Sequence, residues 1–323
     1  MSLPLALEQA LIHIVDDRTA SLAKSTRQLS ARYLAGEGSH ALTKDEALAY
    51  VVARVPATYG AARAALEALK RQTPDLSPTS LLDVGSGPGT MLYAAMAVFP
   101  SVHHLAALER EPAMLAVGQR LLQLSQVPWE DQVSWVGSSF DARPLPDADL
   151  VTAGYLLNEL SEEAFSDATL RLWQAARQAL VIVEPGTPRA FERLRIVRRL
   201  LLDNGASLAA PCPHDGVCPI ADGDWCHFAV RIPRSRVHRH AKNGAAPYED
   251  EKYAYLALLK NVPRPRPARV IRHPQVKPGH IDLTLCTAAG IERRTVTKRH
   301  RDQFRQARKT RWGDPWIDDE EDR

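Results

Sequence analysis

The chain has 323 residues, 45% of them hydrophobic, and a formal net charge of +3 at pH 7. That length and composition suit one large or two modest globular domains with a real core, and no apolar run approaches the roughly 20 residues of a membrane helix. The small net charge hides an asymmetry that suits a polyanion such as RNA, or equally a solvated basic surface: residues 1–210 carry 19 Lys and Arg against 23 Asp and Glu, whereas residues 231–311 carry 21 against 6.

The first residues include Glu8, Asp16 and Asp17 and lack a basic start followed by an apolar block. No presequence is expected there, hence a cytoplasmic protein. Residues 4–34 read as a helix, with Leu5, Ile12, Val15 and Leu22 near helical spacing. Thr43-Lys44-Asp45-Glu46 forms a capping box that opens a second helix. Pro56 is expected to end or kink it, with a third helix over 57–71. Residues 1–75 thus read as a helical N-terminal subdomain.

From residue 79 strands and helices alternate, the pattern of a mostly parallel sheet covered by helices. SLLDVGSG ends a strand in a tight turn, GTMLYAAMAVF is helical, and HHLAALER is a second strand before another helix. QVSWVGSS, DADLVTAGYLL and QALVIVEPG are further strands, with helices around 162–176 and 188–204. Residues 76–210 form this α/β domain. Residues 211–300 are expected to hold a cysteine-rich insertion plus closing strands, including HIDLTLC and IERRTVT joined by a turn at Ala288–Gly290. The proline-rich PRPRPARVIRHPQVKPG reads as an extended loop, and residues 301–323 as a charged, mobile tail.

Asp83-Val84-Gly85-Ser86-Gly87-Pro88-Gly89 follows a strand and precedes a helix. Its glycines permit a sharp turn and close approach of a ligand to the backbone. An acid before the glycines suits a pyrophosphate poorly, while Glu109, ending the next strand, stands where an acid binds ribose hydroxyls. This DVGSGPG loop resembles motif I of class I S-adenosylmethionine (AdoMet)-dependent methyltransferases over about residues 79–204. The resemblance implies a Rossmann-like sheet, an AdoMet pocket at Asp83, Gly85, Gly87 and Gly89, ribose binding by Glu109, and an adenine-side acid at Asp141. Catalytic chemistry is missing. The (N/D)-P-P-(Y/F) turn of amino methylation is replaced by Gly154-Tyr155-Leu156-Leu157-Asn158, and no isolated cysteine nucleophile stands out. Asn158 and Glu159 could orient a substrate amine or cap a helix, and Glu184 could touch substrate or simply end its strand.

All four cysteines fall in the second half: Cys212, Cys218 and Cys226 in CPHDGVCPIADGDWC, and Cys286 further on. Clustered cysteines in a reducing compartment favour a metal over disulfides. Four thiolates suit zinc or an iron–sulfur cluster, and gaps of five and seven residues are loose for a zinc knuckle. His214 and His227 flank the cysteines as candidate substitute ligands or supporting donors. CPHDGVCPI, DWCHF, R-x2-R-x-R, EDEKYAYL and VEPGTP, with the glycine loop, resemble the mitochondrial methyltransferase-like small-ribosomal-subunit assembly factors and their bacterial relatives, over about residues 75–300. That resemblance implies a 4Fe-4S cluster on Cys212, Cys218, Cys226 and Cys286, and the small ribosomal subunit and its rRNA as partners, for methylation or for assembly. A non-catalytic RNA-binding factor and a zinc-containing methyltransferase with another substrate are the alternatives. Arg231, Arg234, Arg236, His238 and His240 are candidate phosphate contacts. Lys298, Arg299, Arg301, Arg305, Arg308, Lys309 and Arg311 form a second basic run, with Trp312 placed to stack on a base.

Overall fold

The computed structural model describes residues 1–15, 42–140, 144–234, 246–260 and 266–318. Its elements in chain order begin with α1 (Leu5–His13), α2 (Lys44–Gln72), β1 (Ser80–Val84), α3 (Thr90–Val98), β2 (His104–Glu109), α4 (Pro112–Ser125), β3 (Val133–Gly137) and β4 (Ala148–Gly154). There follow α5 (Glu162–Ala175), β5 (Ala176–Pro185), α6 (Pro188–Asp203), β6 (Ser207–Ala210), β7 (Phe228–Pro233) and β8 (Tyr248–Leu259). Strands β9 (Ala268–Val270), β10 (Gln275–Lys277), β11 (His280–Thr287) and β12 (Gly290–Thr297), helix α7 (Arg301–Lys309) and β13 (Pro315–Trp316) complete the described chain.

The main sheet runs β3-β2-β1-β4-β5-β8-β6, with β7 paired to β8. Strands β1 to β5 are mutually parallel, and β8 enters antiparallel between β5 and β6. This is the Rossmann-like α/β arrangement expected of the methyltransferase sheet: β1 is central, and the chain reverses its direction of growth between β1 and β4, so a crevice opens at their carboxyl ends. Strand β5 shows why it is covered on both sides. Ala179, Val181 and Val183 enter one core with α2, α3 and α4, while Leu180 and Ile182 enter the other with α5 and α6. No helix among the described residues is long and apolar enough to cross a membrane.

Several expectations are corrected. Helix α2 runs unbroken for 29 residues through Pro56, opened by the Thr43–Glu46 capping box. Its small buried face, including Ala49, Val52, Ala53 and Gly60, packs closely enough to offset the hydrogen bond that proline removes. It lies on the sheet and joins the first core, so the N-terminal helices are part of the α/β body. Residues 16–34 of the expected first helix lie outside the described residues, save α1 before them. Segment 211–300 is divided between two sheets. The proline-rich stretch supplies β9 and β10 of a five-stranded antiparallel sheet, β10-β11-β9-β13 with β12 beside β11. The tail supplies α7 and β13, and Trp316 is buried in this second core. The β11–β12 hairpin stands as expected, pairing Thr287 with Gly290 at its turn.

Candidate functional sites

The glycine turn is held at the crevice by backbone bonds: Gly85 N–H and Ser86 N–H both donate to Leu108 O of β2, at 2.9 and 3.0 Å. A side chain at Gly85 (φ 67°) would be strained, since its Cβ would fall 2.8 Å from Leu156 Cδ1 and push that side chain aside. Gly87 (φ 53°) has open space where a Cβ would be. Its N–H donates to Glu109 Oε2 at 2.7 Å, and Glu111 N–H donates to Oε1 at 2.7 Å. Burial raises the Glu109 pKa, and these two N–H bonds pull it back. A cavity of about 80 Å3 opens here, lined by Gly85, Gly87, Glu109, Ser138, Phe140 and Tyr155 among others. A fixed carboxylate with spare lone pairs facing a concave turn is suited to two vicinal hydroxyls.

Of the candidate cofactor residues, Gly85, Gly87 and Glu109 line this cavity; Asp83 and Gly89 are not among its walls. Asp83 sits wholly buried behind the turn, where Thr152 Oγ1 donates to its Oδ1 at 2.8 Å and its Oδ2 has no partner among the described residues. Burial pushes its pKa up to about 8. Gly89 caps α3 in the left-handed region. Asp141 lies outside the described residues.

The far wall is the turn after β4. Tyr155 (φ 61°) donates its hydroxyl to Glu251 Oε1 at 3.0 Å. Arg54 of α2 grips the same carboxylate at 2.8 and 3.3 Å. Behind them, Glu184 of β5 accepts from Leu157 N–H at 2.9 Å and Asn158 N–H at 3.2 Å, so it clamps the turn rather than facing substrate. Arg193 of α6 closes the clamp, donating to Leu157 O, Leu160 O and Glu162. Asn158 is no helix cap: Ser161 caps α5, and Asn158 Oδ1 is buried without a partner among the described residues.

Around the cysteines, tertiary structure does what spacing alone could not. Cys212 after β6, Cys218 and Cys226 in the following segment, and Cys286 of β11 line one cavity of about 50 Å3, with Arg198, His214 and Arg269. All four are free thiols. Among the described residues no three His, Cys, Asp or Glu side chains stand in a geometry that would hold a metal ion. Four thiols around one cavity are, as chemistry, the kind of donor set that zinc or an iron–sulfur cluster takes. Burial pushes the Cys286 thiol up to about 12 and also raises Cys212 and Cys226, and neighbouring thiolates oppose one another's ionisation, so a cation is what would let them ionise together. Two polar atoms of the cavity's own residues, Arg198 Nε and His214 Nε2, are buried without partners among the described residues. Such donors suit an anionic sulfur-ligated group.

Arg198 Nη2 holds His214 O at 2.9 Å, and Arg269 ties Pro211 O to Gly313 O at 3.0 Å each. Trp225 Nε1 donates to Gly186 O at 3.0 Å. These positioning residues were not singled out from sequence. A signal existed for Arg198: it falls on the apolar stripe of α6 with Phe191, Leu194 and Leu201, a costly place for an unengaged charge. His227 stacks on Trp225 and meets the edge of Trp312. Trp312 is therefore packed between His227 and His273, 4.7 Å from each, and is not free to stack on a base. Arg231 and Arg234 are paired with Asp250 and Glu249 on the neighbouring strand. Arg236, His238 and His240 lie outside the described residues.

The sequence model of the family described as "Mitochondrial small ribosomal subunit Rsm22" matches residues 44–317. The chain is 27% identical over 290 residues to the human "Ribosome assembly protein METTL17, mitochondrial", covering 84% of this chain and 62% of that protein. It is 25% identical over 361 residues to "Rsm22-cox11 tandem protein 2, mitochondrial" of Schizosaccharomyces pombe, covering 93% of this chain and 47% of that protein. The chain thus spans about half to three-fifths of the length of these relatives. Among solved structures, human N-acetylserotonin methyltransferase in complex with SAM aligns at TM-score 0.43 and 13% identity over 80% of this chain and 72% of that one. Magnesium protoporphyrin IX methyltransferase of Synechocystis with bound SAM aligns at 0.42 and 13%, over 72% and 90%.

Proposed function

The chain belongs to the Rsm22 family of mitochondrial small ribosomal subunit proteins, and on that premise we propose that it is an AdoMet-binding, methyltransferase-like factor of the small ribosomal subunit, acting on its rRNA or in its assembly. The observation that carries the cofactor reading is the buried Glu109 carboxylate fixed by Gly87 N–H at the floor of the crevice. AdoMet supplies an electrophilic methyl on a sulfonium. This chain's part is to seat it: Glu109 for the ribose hydroxyls, Gly85 and Gly87 for close backbone approach, and Phe140 and Tyr155 as walls. Calorimetric titration with AdoMet tests it. Loss of one charge-assisted hydrogen bond is worth about 1.5–3 kcal/mol, so Glu109→Ala is expected to weaken binding roughly tenfold to a hundredfold. No binding by the wild-type protein refutes the reading.

Cys212, Cys218, Cys226 and Cys286 would hold a 4Fe-4S cluster, with zinc the alternative for the same thiols. The group would join the segment after β6 to β11 of the second sheet, with Arg198 and Arg269 offsetting its negative charge. Iron and sulfide analysis with a visible spectrum on anaerobically purified protein separates the two metals.

A second reading, a binding factor without turnover, is favoured by Tyr155. The place after β4 where an acceptor would enter holds a side chain that already donates to Glu251 and lies under the Arg54 guanidinium, 5.6 Å from its ring centroid. Transfer of labelled methyl from AdoMet to isolated small subunits, present or absent in a preparation that binds AdoMet, decides between the readings.

A further inference from the structure

Among the described residues, the two basic runs that stand out in the sequence of the second half differ in their partners. Those on β7 are neutralised: Arg231 is bidentate to Asp250 at 2.8 and 2.9 Å, and Arg234 holds Glu249 at 2.7 Å. Those around α7 are not. Lys298, Arg299, Arg301, Arg308 and Lys309 are exposed. Among the described residues no ion pair or side-chain hydrogen bond engages any of them, and the helix's one ion pair is Arg305 with Asp302 at 3.2 Å.

Packing sets which way they face. Phe304 and Ala307, three residues apart, turn inward onto Ile281, Leu283 and Val296 of the second sheet. Arg301, Arg305 and Arg308, at i, i+4 and i+7, therefore share one flank of the helix away from that core. Lys298 and Arg299 continue the positive surface just before its first turn, where the helix dipole disfavours cations. Lys298, Arg299 and Arg301 thus carry exposed positive charge against the helix dipole, while Arg308 and Lys309 sit in the last turn, which favours cations.

We infer that this flank, and not the β7 strand, is the surface that grips RNA through its phosphates. The inference rests on the ribosome-directed reading above and assigns that reading a place. Charge complementarity selects the partner, since unpaired cations in a row match a phosphate backbone and carry no sequence information. A lipid surface fits less well, because the apolar residues of α7 are spent on the second sheet and none is left on the outer flank to enter a membrane. The surface is also anchored near the thiol cavity. Cys286 lies on β11, and Arg269 of β9 bonds the carbonyl of Pro211 beside Cys212.

The test is fluorescence anisotropy with a labelled RNA hairpin across a potassium chloride series, on full-length protein. Each phosphate contact contributes about 0.7–0.9 to the slope of log affinity against log salt. Replacing Lys298, Arg299, Arg301 and Arg308 together by Gln is expected to lower the slope by roughly 3. The single changes Arg301→Gln and Arg308→Gln should each lower it by about 1, and Arg231→Gln should leave it unchanged. AdoMet titration of the same preparations reports on fold and pocket separately. An unchanged slope in the α7 variants, a loss that follows Arg231→Gln instead, or wild-type binding to phosphatidylserine vesicles but not to RNA overturns the inference. Absence of AdoMet binding with the slopes as expected would sink the pocket reading and leave this one standing.

Discussion

Glu184→Ala should destabilise the protein by an amount that shrinks as pH rises. The Glu184 carboxyl is 1% exposed and accepts two backbone N–H bonds from the turn that walls the cofactor cavity. Removing it leaves the buried Leu157 N–H and the half-buried Asn158 N–H unpaired, at about 1–3 kcal/mol for the first and at most as much again for the second. Against that stands the cost of the carboxyl itself, which burial pushes up from 4.5 to about 8. Between those values the folded state holds a proton that the unfolded state has released, so wild-type stability falls with rising pH, by about 1.4 kcal/mol per unit. Alanine does not titrate and lacks that slope. The stability gap between wild type and variant should therefore be full below about pH 4.5, and smaller by roughly 2.5 kcal/mol at pH 7 than at pH 5. Asp83, also raised to about 8, titrates in both proteins and cancels. Urea unfolding at the two pH values measures the gap. An equal gap at both would mean that the two N–H bonds hold a charged carboxylate at its ordinary pKa, and the argument from burial would be wrong.

Gly85→Ala places a methyl 2.8 Å from Leu156 Cδ1 at φ 67°; a loss of about 1–3 kcal/mol and weakened AdoMet binding are expected, and a variant that melts and binds like wild type would contradict the geometry. Gly186→Ala would bring its methyl to 2.8 Å from the backbone of Lys252 and Tyr253, wedging β5 from β8. Thermal melting should show a much larger drop than for Gly216→Ala, whose nearest neighbour is 3.4 Å away. Cys→Ser at any one of the four cysteines should lower bound iron or zinc and the melting temperature. Metal analysis that finds all four variants loaded like wild type would dismiss the thiol site.

Much of the α/β order was legible because it rests on local rules. Glycines with left-handed backbone end β1, apolar runs alternate with helical periods through β5, and the β11–β12 hairpin announces itself at Ala288–Gly290. The glycine turn and Glu109 were readable for the same reason, since both lie at strand ends whose neighbours follow closely in sequence. Strand β8 escaped: TyrGluAspGluLys opens it as a charged stretch, yet its Tyr253–Leu258 half becomes fully buried only because β5 and β6 leave a gap between them. Pro56 stays inside a helix, and the proline-rich stretch becomes strands, because burial against distant partners outweighs local propensity.

The sequence by itself determined the residue chemistry of both sites: a glycine turn with an acid one strand on, and four thiols in a chain that uses cysteine nowhere else. Only the tertiary structure decided what those residues face. Asp83 went behind the turn, Glu184 and Arg193 became a clamp, Arg231 and Arg234 found acidic partners on β8, Trp312 was packed away between histidines, and Cys286 was carried to the other three across two sheets. Those outcomes depend on contacts between residues up to some 200 positions apart, such as Arg54 with Glu251. Periodicity and motif spacing act over one or two elements, so they carry no information about which buried charge will meet which partner.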